Sequence, residues 1–192
     1  MVFFNRRRKY FPVTELQYIE TTGSQYINTG FKPNNATAFY VDVEVTNTQS
    51  HVFGARTAYQ NNAFALYWAS NSDLAVQLAN ATFNGGIFST SGRHTVYMTS
   101  TSLSVDGTVT ATYSPEEFQC EQDAWLMSCY SSSAAEYAKG KLYGARMYDN
   151  EKLIHDFVPC RDKEGNIGCY DTVTKRFYGN AGTGAFIAGP EV

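Results

Sequence analysis

Lys141-Leu-Tyr-Gly-Ala-Arg-Met-Tyr-Asp-Asn150 opens the most informative part of this chain. Leu153-Ile-His-Asp-Phe-Val-Pro-Cys-Arg-Asp162 follows, and Gly168-Cys-Tyr-Asp-Thr-Val-Thr-Lys-Arg-Phe-Tyr-Gly-Asn-Ala-Gly-Thr-Gly-Ala-Phe-Ile-Ala-Gly-Pro190 closes it. The pattern predicts a strand, a turn, a second strand, a hairpin and a glycine-rich finish. It holds no nucleophile–base pair, no metal cluster and no phosphate loop. The glycines of Gly179-Asn-Ala-Gly-Thr-Gly184 are suggestively spaced, but a dinucleotide fingerprint needs a strand before it and a helix after it. A short strand and a stop follow here, so these glycines are assigned to a tight turn that returns the last strand to the first.

Upstream, alternation of period two dominates. Phe39, Val41, Val43 and Val45 share one face of a strand, with Tyr40, Asp42 and Glu44 on the other, as in a half-buried antiparallel strand. His94, Val96 and Met98 alternate with Thr95, Tyr97 and Thr99 in the same way, and His94 is read as a satisfied core histidine. Asn34-Asn35, Gln60-Asn-Asn62 and Asn84-Gly-Gly86 punctuate the runs. At Asp106-Gly107 a three-residue loop would set Leu103 opposite Val109, both inward, and matching polarity favours that register over a two-residue loop. Ser114-Pro-Glu-Glu-Phe118 has a cap, a proline and early acids, and predicts one short helical turn.

Turn signals recur about every ten residues without long helices between them. The expected fold is therefore all-β, a sandwich of two antiparallel sheets with at most one short helical turn. The 192-residue length fits one such domain, expected over 14–192, preceded by an arm over 1–13. Aromatic residues make up 15%, with fourteen Tyr and thirteen Phe, as a pleated, half-buried surface requires. Charged residues are 17% and the net charge is −3, too near neutral to drive binding to nucleic acid or an anionic membrane. No run approaches the roughly twenty apolar residues of a membrane span. Met1-Val-Phe-Phe-Asn-Arg-Arg-Arg-Lys9 puts apolar residues before charge, the reverse of a secretory signal. The four cysteines, Cys120, Cys129, Cys160 and Cys169, are too few for a disulfide scaffold and are read as reduced, with a hairpin bridge between Cys160 and Cys169 as the alternative.

Leu16-Gln-Tyr-Ile-Glu-Thr-Thr-Gly-Ser-Gln-Tyr-Ile-Asn-Thr-Gly30 resembles the opening of laminin-G-like, concanavalin A-like jelly-roll domains. Phe53-Gly-Ala-Arg56, Gly92-Arg-His-Thr-Val96, Val105-Asp-Gly107 and the tail from Lys141 to Pro190 extend the resemblance across 14–190. It implies a jelly roll of two curved sheets, about a dozen strands, with the chain ends close together. Such domains occur in tailed-phage structural proteins and gut-bacterial surface proteins, and mostly bind glycans or proteins. The preferred reading is a non-enzymatic virion module for decoration or adhesion. Phe3, Phe4, Arg6, Arg7, Arg8, Lys9 and Tyr10 would dock it to other virion proteins while rim loops meet a cell-surface or mucosal glycan. A lectin-like domain on a bacterial surface or secreted is the alternative, and a glycoside hydrolase the third. A homo-oligomer is compatible with any of them.

Enzymes on this fold pair carboxylates across the scissile bond. Asp42 and Glu44 approach that pattern but lack a third acid at Thr46, and are read as an outward, solvated pair. A glycan site would combine an aromatic platform with hydrogen-bonding side chains. Arg56, Tyr59, Asn61 and Asn62 in one loop, and Tyr130 and Tyr137 bounding another, are the candidates. Trp68 and Trp125 are assigned to the core. Asp162, Glu164 and Asn166 offer oxygen ligands for calcium at a rim, with a hydrated turn preferred and no cofactor expected.

Overall fold

The computed structural model describes residues 12–58, 61–70, 73–87, 92–130 and 136–192. Among them the chain forms seventeen strands and no helix. They are β1 (Thr14–Glu15), β2 (Ile19–Thr22), β3 (Ile27–Asn28), β4 (Thr37–Val45), β5 (Ser50–Ala55), β6 (Ala63–Trp68), β7 (Asp73–Ala79), β8 (Ala81–Ile87) and β9 (Arg93–Thr99). The remainder are β10 (Ser102–Val105), β11 (Thr108–Thr112), β12 (Trp125–Leu126), β13 (Lys139–Asp149), β14 (Lys152–Arg161), β15 (Ile167–Asp171), β16 (Arg176–Gly179) and β17 (Ile187–Ala188).

Eleven strands make the larger sheet, in the order β11-β10-β9-β4-β13-β14-β15-β16, with β1 on β14, β2 on β13 and β17 on β2. Six make the smaller, in the order β3-β12-β5-β6-β7-β8. Every strand pair is antiparallel. The predicted two-sheet all-β sandwich is the fold observed.

The alternation in β4 has the expected effect: Phe39, Val41, Val43 and Val45 are buried while Tyr40, Asp42 and Glu44 face outward. Phe39 stacks on Phe53 of the smaller sheet with centroids 3.8 Å apart, and Phe64 meets Phe53 edge-on at 5.8 Å. Trp68 is buried as expected. Each fully buried ring of this kind is worth roughly 1.5–3 kcal/mol of apolar transfer. The described ends of the chain meet, with Leu16 bridged to Glu191 and β17 paired with β2. Ala181 donates to the Tyr26 carbonyl at 2.9 Å and Thr183 to that of Ser24 at 3.0 Å, so the glycine-rich finish closes the sandwich as expected.

Three local expectations are corrected. Asp106 and Gly107 both take positive φ, 50° and 81°, giving the two-residue turn whose twist suits a hairpin. Val105 pairs with Thr108, and a bulge then sets Leu103 opposite Ala111. Leu103 is buried, but Val109 is 61% exposed, so the two do not point inward together. Secondly, 114–118 forms no helical turn, because Phe118 is drawn into the core and its N–H is taken by Asn35 Oδ1 at 2.5 Å. Thirdly, Trp125 is not a core residue. β12 ends at Leu126 and Met127 takes φ 64°, so the expected alternation of Trp125 with Met127 breaks and only Met127 turns inward.

All four cysteines are free and buried. Cys160 pairs with Gly168 and Cys169 with Pro159, so the two are consecutive register positions on opposite faces of the sheet and cannot bridge. Burial pushes the Cys120 and Cys160 thiols up to about 12. His94 lies at the edge of the core face with Nδ1 2.8 Å from Asp106 Oδ2.

Candidate functional site

The site is built on the outer face of the smaller sheet. Trp125 pairs with Asn28 on one side and Gly54 on the other; Gly54 pairs with Ala65, and Ala65 with Gln77. The residues alternating with this row, Leu126, Phe53, Leu66 and Val76, belong to the core, which puts the row itself on the opposite face. Small side chains leave a trough there, and the chain after β12 lies across it. Met127 donates its N–H to the Val52 carbonyl at 2.6 Å, and Tyr137 bridges to His51. Cys129 presses on Gly54 so closely that a Cβ there would lie 2.5 Å from its Sγ, and only glycine fits.

A charged network fills the space beneath this segment. Arg56, 1% exposed, donates from Nη1 to Gln77 Oε1 at 2.8 Å and from Nη2 to Glu136 Oε1 at 2.7 Å. The second Glu136 oxygen lies 2.6 Å from His51 Nδ1, and His51 Nε2 lies 3.5 Å from Arg56 Nη1. Tyr67 stacks on the His51 ring at 4.7 Å. Burial lowers the His51 pKa, and the nearby Arg56 cation adds to the effect against the opposing pull of Glu136. The His51 contact holds the Glu136 carboxyl below its ordinary range, assisted by Arg56 and opposed by burial. A neutral imidazole with its proton on Nδ1 satisfies both neighbours, donating to the carboxylate and turning a lone pair to the guanidinium. Gln77 Nε2, wholly buried, has no acceptor among the described residues.

Beside the network lies a cluster of aromatic rings. Tyr26 stacks on Trp125 with centroids 4.0 Å apart and 22° between planes. Tyr130 meets Trp125 edge-on at 5.4 Å, and Tyr137 lies 6.2 Å from Tyr26. All four are half-buried. Burial, with Tyr137 nearby, raises the Tyr26 pKa, so its hydroxyl stays a neutral donor at physiological pH. Broad apolar faces ringed by hydroxyls and fixed polar groups suit a polyhydroxylated ligand. The Cys129 thiol is driven up by burial and is no nucleophile.

Of the residues expected to bind, the structure brings Arg56, Tyr130 and Tyr137 together. Arg56 is not on a rim loop; it anchors the segment that crosses the sheet. Asn61 and Asn62 are not part of this cluster: Asn61 is bonded to Thr57 and Ala58, and Asn62 lines a separate groove with Asn34, Asn35 and Gln119. Tyr59 and the arm residues Phe3, Phe4, Arg6, Arg7, Arg8, Lys9 and Tyr10 lie outside the described residues. Tyr26, His51, Gln77, Trp125 and Glu136 were missed by sequence reasoning. They are scattered over more than a hundred positions, and only the Trp125-Tyr130-Tyr137 density of aromatics hinted at them.

Asp42 and Glu44 face outward on the larger sheet. Asp42 takes two 2.6 Å bonds from Arg93, and Glu44 accepts from Lys141 at 3.3 Å and from the Tyr143 hydroxyl at 3.2 Å. Both carboxylates are thus tied to cations across strands. Asp162 accepts the N–H groups of Glu164 and Asn166 on one oxygen, and Asn166 Nδ2 on the other at 2.8 Å. The carboxylate thereby holds its own turn, and Asn166 presents a donor to it rather than a metal-binding oxygen. No cluster of three or more His, Cys, Asp or Glu side chains suited to a metal occurs among the described residues.

The sequence matches no protein-family model and no curated protein. Among solved structures, the chain shares its fold with a protein of Bacteroides ovatus ATCC 8483 described as a "putative carbohydrate binding protein". The TM-score is 0.60 at 11% identity, over 93% of this chain and 62% of the other. The chain thus spans less than two thirds of that protein. The class defined here is a two-sheet antiparallel β-sandwich carrying an aromatic and ionic cluster on its smaller sheet.

Proposed function

We propose that this protein is a non-enzymatic glycan-binding module of the concanavalin A-like, laminin-G-like type, with its site on the outer face of the smaller sheet. The observation that carries the reading is the stacked Tyr26–Trp125 pair. Two large rings are stacked face to face and left half-exposed, flanked by Tyr130 and Tyr137. Sugar C–H faces pack on such rings, while hydroxyls exchange hydrogen bonds with the tyrosines and donate to the partly exposed Glu136 carboxylate. The shared fold with a protein described in terms of carbohydrate binding supports the reading. Virion decoration through the arm over 1–13 draws on residues 1–11, which lie outside those described, and glycan binding on the smaller sheet does not depend on it.

Trp125→Ala is expected to weaken glycan binding about tenfold, the order of magnitude of a lost aromatic stack. Screening the full chain on a glycan array, followed by calorimetric titration of the hits, measures the effect. The melting temperature of the variant serves as the control for folding. No bound glycan, or unchanged affinity in a folded Trp125→Ala protein, would overturn the proposal.

A further inference from the structure

Where the aromatic platform ends, a cleft begins. Its volume is about 660 Å³, with Asn28 and Phe31 on one wall and His155, Thr174, Arg176 and Tyr178 on the other. Asn28 is the register partner of Trp125. Tyr26 is tied to the far side through Ala181, whose N–H it accepts, and through Asn180 Oδ1, to which it donates at 3.1 Å. Platform and cleft are therefore neighbours, joined through Asn28 and Ala181 where the edge strand β3 of the smaller sheet meets the β15–β16 hairpin.

The charge of this cleft has one sign. Among the described residues no carboxylate lines it. Asp171 lies beneath His155 but is wholly buried, and its oxygens are taken by His155 Nδ1 at 2.7 Å, by the N–H groups of Asp156 and Val173, and by the Thr174 hydroxyl. Its negative charge is thus answered from within. The other described arginines each pair with an acid: Arg56 with Glu136, Arg93 with Asp42, Arg146 with Asp156 and Arg161 with Glu191. Arg176 is exposed and pairs with no carboxylate among the described residues. His155, whose Nδ1 is held by Asp171, makes no hydrogen bond through Nε2 to any described residue and keeps that nitrogen for a ligand.

We propose that the cleft extends the glycan site and accepts an acidic sugar residue, the next residue of the same oligosaccharide lying on the Tyr26–Trp125 pair. This rests on the reading of that pair as a glycan platform. The planar guanidinium of Arg176 presents two parallel N–H donors to a carboxylate or sulfate ester, a geometry no neutral hydroxyl matches. His155 Nε2 and the Tyr178 ring supply a hydrogen-bonding atom and an apolar wall beside it.

Calorimetric titration of the full chain tests this with oligosaccharides of galacturonic acid, sialic acid-capped chains and sulfated chondroitin oligomers. Each is compared with its carboxyl-reduced or desulfated counterpart. The acidic member of at least one pair is expected to bind tenfold or more tightly than its neutral counterpart, with the gap shrinking as salt rises. Which pair shows the gap tells carboxylate from sulfate. Arg176→Ala closes the gap and Arg176→Lys retains part of it; both lie at an exposed position and leave the melting temperature unchanged. Equal affinity within every pair, no binding by any acidic oligomer, or a gap that survives Arg176→Ala overturns the proposal. Neutral oligomers bound by Arg176→Ala but lost in Trp125→Ala, with no acidic preference in the wild type, remove the cleft and leave the platform standing. Acidic binding that is lost in Arg176→Ala yet untouched in Trp125→Ala removes the platform, and the continuity of the two with it.

Discussion

His51 shows how one side chain is defined by its neighbours. Its Nδ1 faces a carboxylate and its Nε2 a guanidinium, so the neutral ring satisfies both and a second proton would meet Arg56. The unfolded chain takes up that proton near the ordinary value of 6.5, while burial keeps the folded chain from doing so. Between 6.5 and the lowered folded value the unfolded state binds more protons, so stability falls as the pH falls through that window. Glu136, also lowered in the fold, adds a loss of the same sign below its ordinary 4.5. The melting temperature is expected to drop from pH 7 to pH 5, and the drop to be shallower in His51→Gln, whose amide can donate to Glu136 and accept from Arg56. A parallel drop in the two proteins would show that His51 is not the group responsible. Nothing in the sequence around His51 announces this role, because Glu136 stands eighty-five positions away and is brought over only by the segment that crosses the sheet.

Turns are the elements where sequence reading succeeded unevenly. The β15–β16 hairpin was legible from Gly168-Cys-Tyr-Asp and Thr172-Val-Thr-Lys, yet its hinge is a buried acid. Burial alone would raise the Asp171 pKa, but the His155 ring, the N–H groups of Asp156 and Val173 and the Thr174 hydroxyl outweigh it, and the net shift is strongly downward. Asp171→Ala strands these donors without an acceptor and is expected to cost roughly 3 kcal/mol, read by urea denaturation. A cost within about 0.5 kcal/mol, usual for a surface change, would contradict this account of the turn. The Asp106–Gly107 hairpin went the other way. Matching the polarity of Leu103 and Val109 ignored the twist of the strands, which selects a two-residue turn and moves the extra residue to a bulge within β11. At 114–118 local helical preference lost to the burial of Phe118, a contact between distant segments that no local window contains.

For the whole molecule, the contact between Phe39 and Phe53 joins the two sheets through the centre of the core. Phe53→Ala removes a wholly buried ring and is expected to lower stability by roughly 3–5 kcal/mol in urea denaturation. Val109→Ala serves as the comparison and should change stability by no more than about 0.5 kcal/mol, since that side chain is 61% exposed. The sequence by itself determined the sandwich, because period-two alternation dictates which face of each strand is buried and glycine and asparagine mark where each strand must end. It also determined the closing role of Lys141 to Pro190. Only the tertiary structure decided which faces carry chemistry. Pairing of β3 with β12 sets Tyr26 against Trp125, the chain after β12 returns Glu136 to Arg56, and pairing between strands far apart in the chain is set by the packing of the whole core rather than by any stretch of residues. Lys141 to Pro190 therefore specifies architecture and contributes His155 and Arg176 to one wall of a cleft. The aromatic platform across from it comes from segments that, read alone, looked like core or connecting loop.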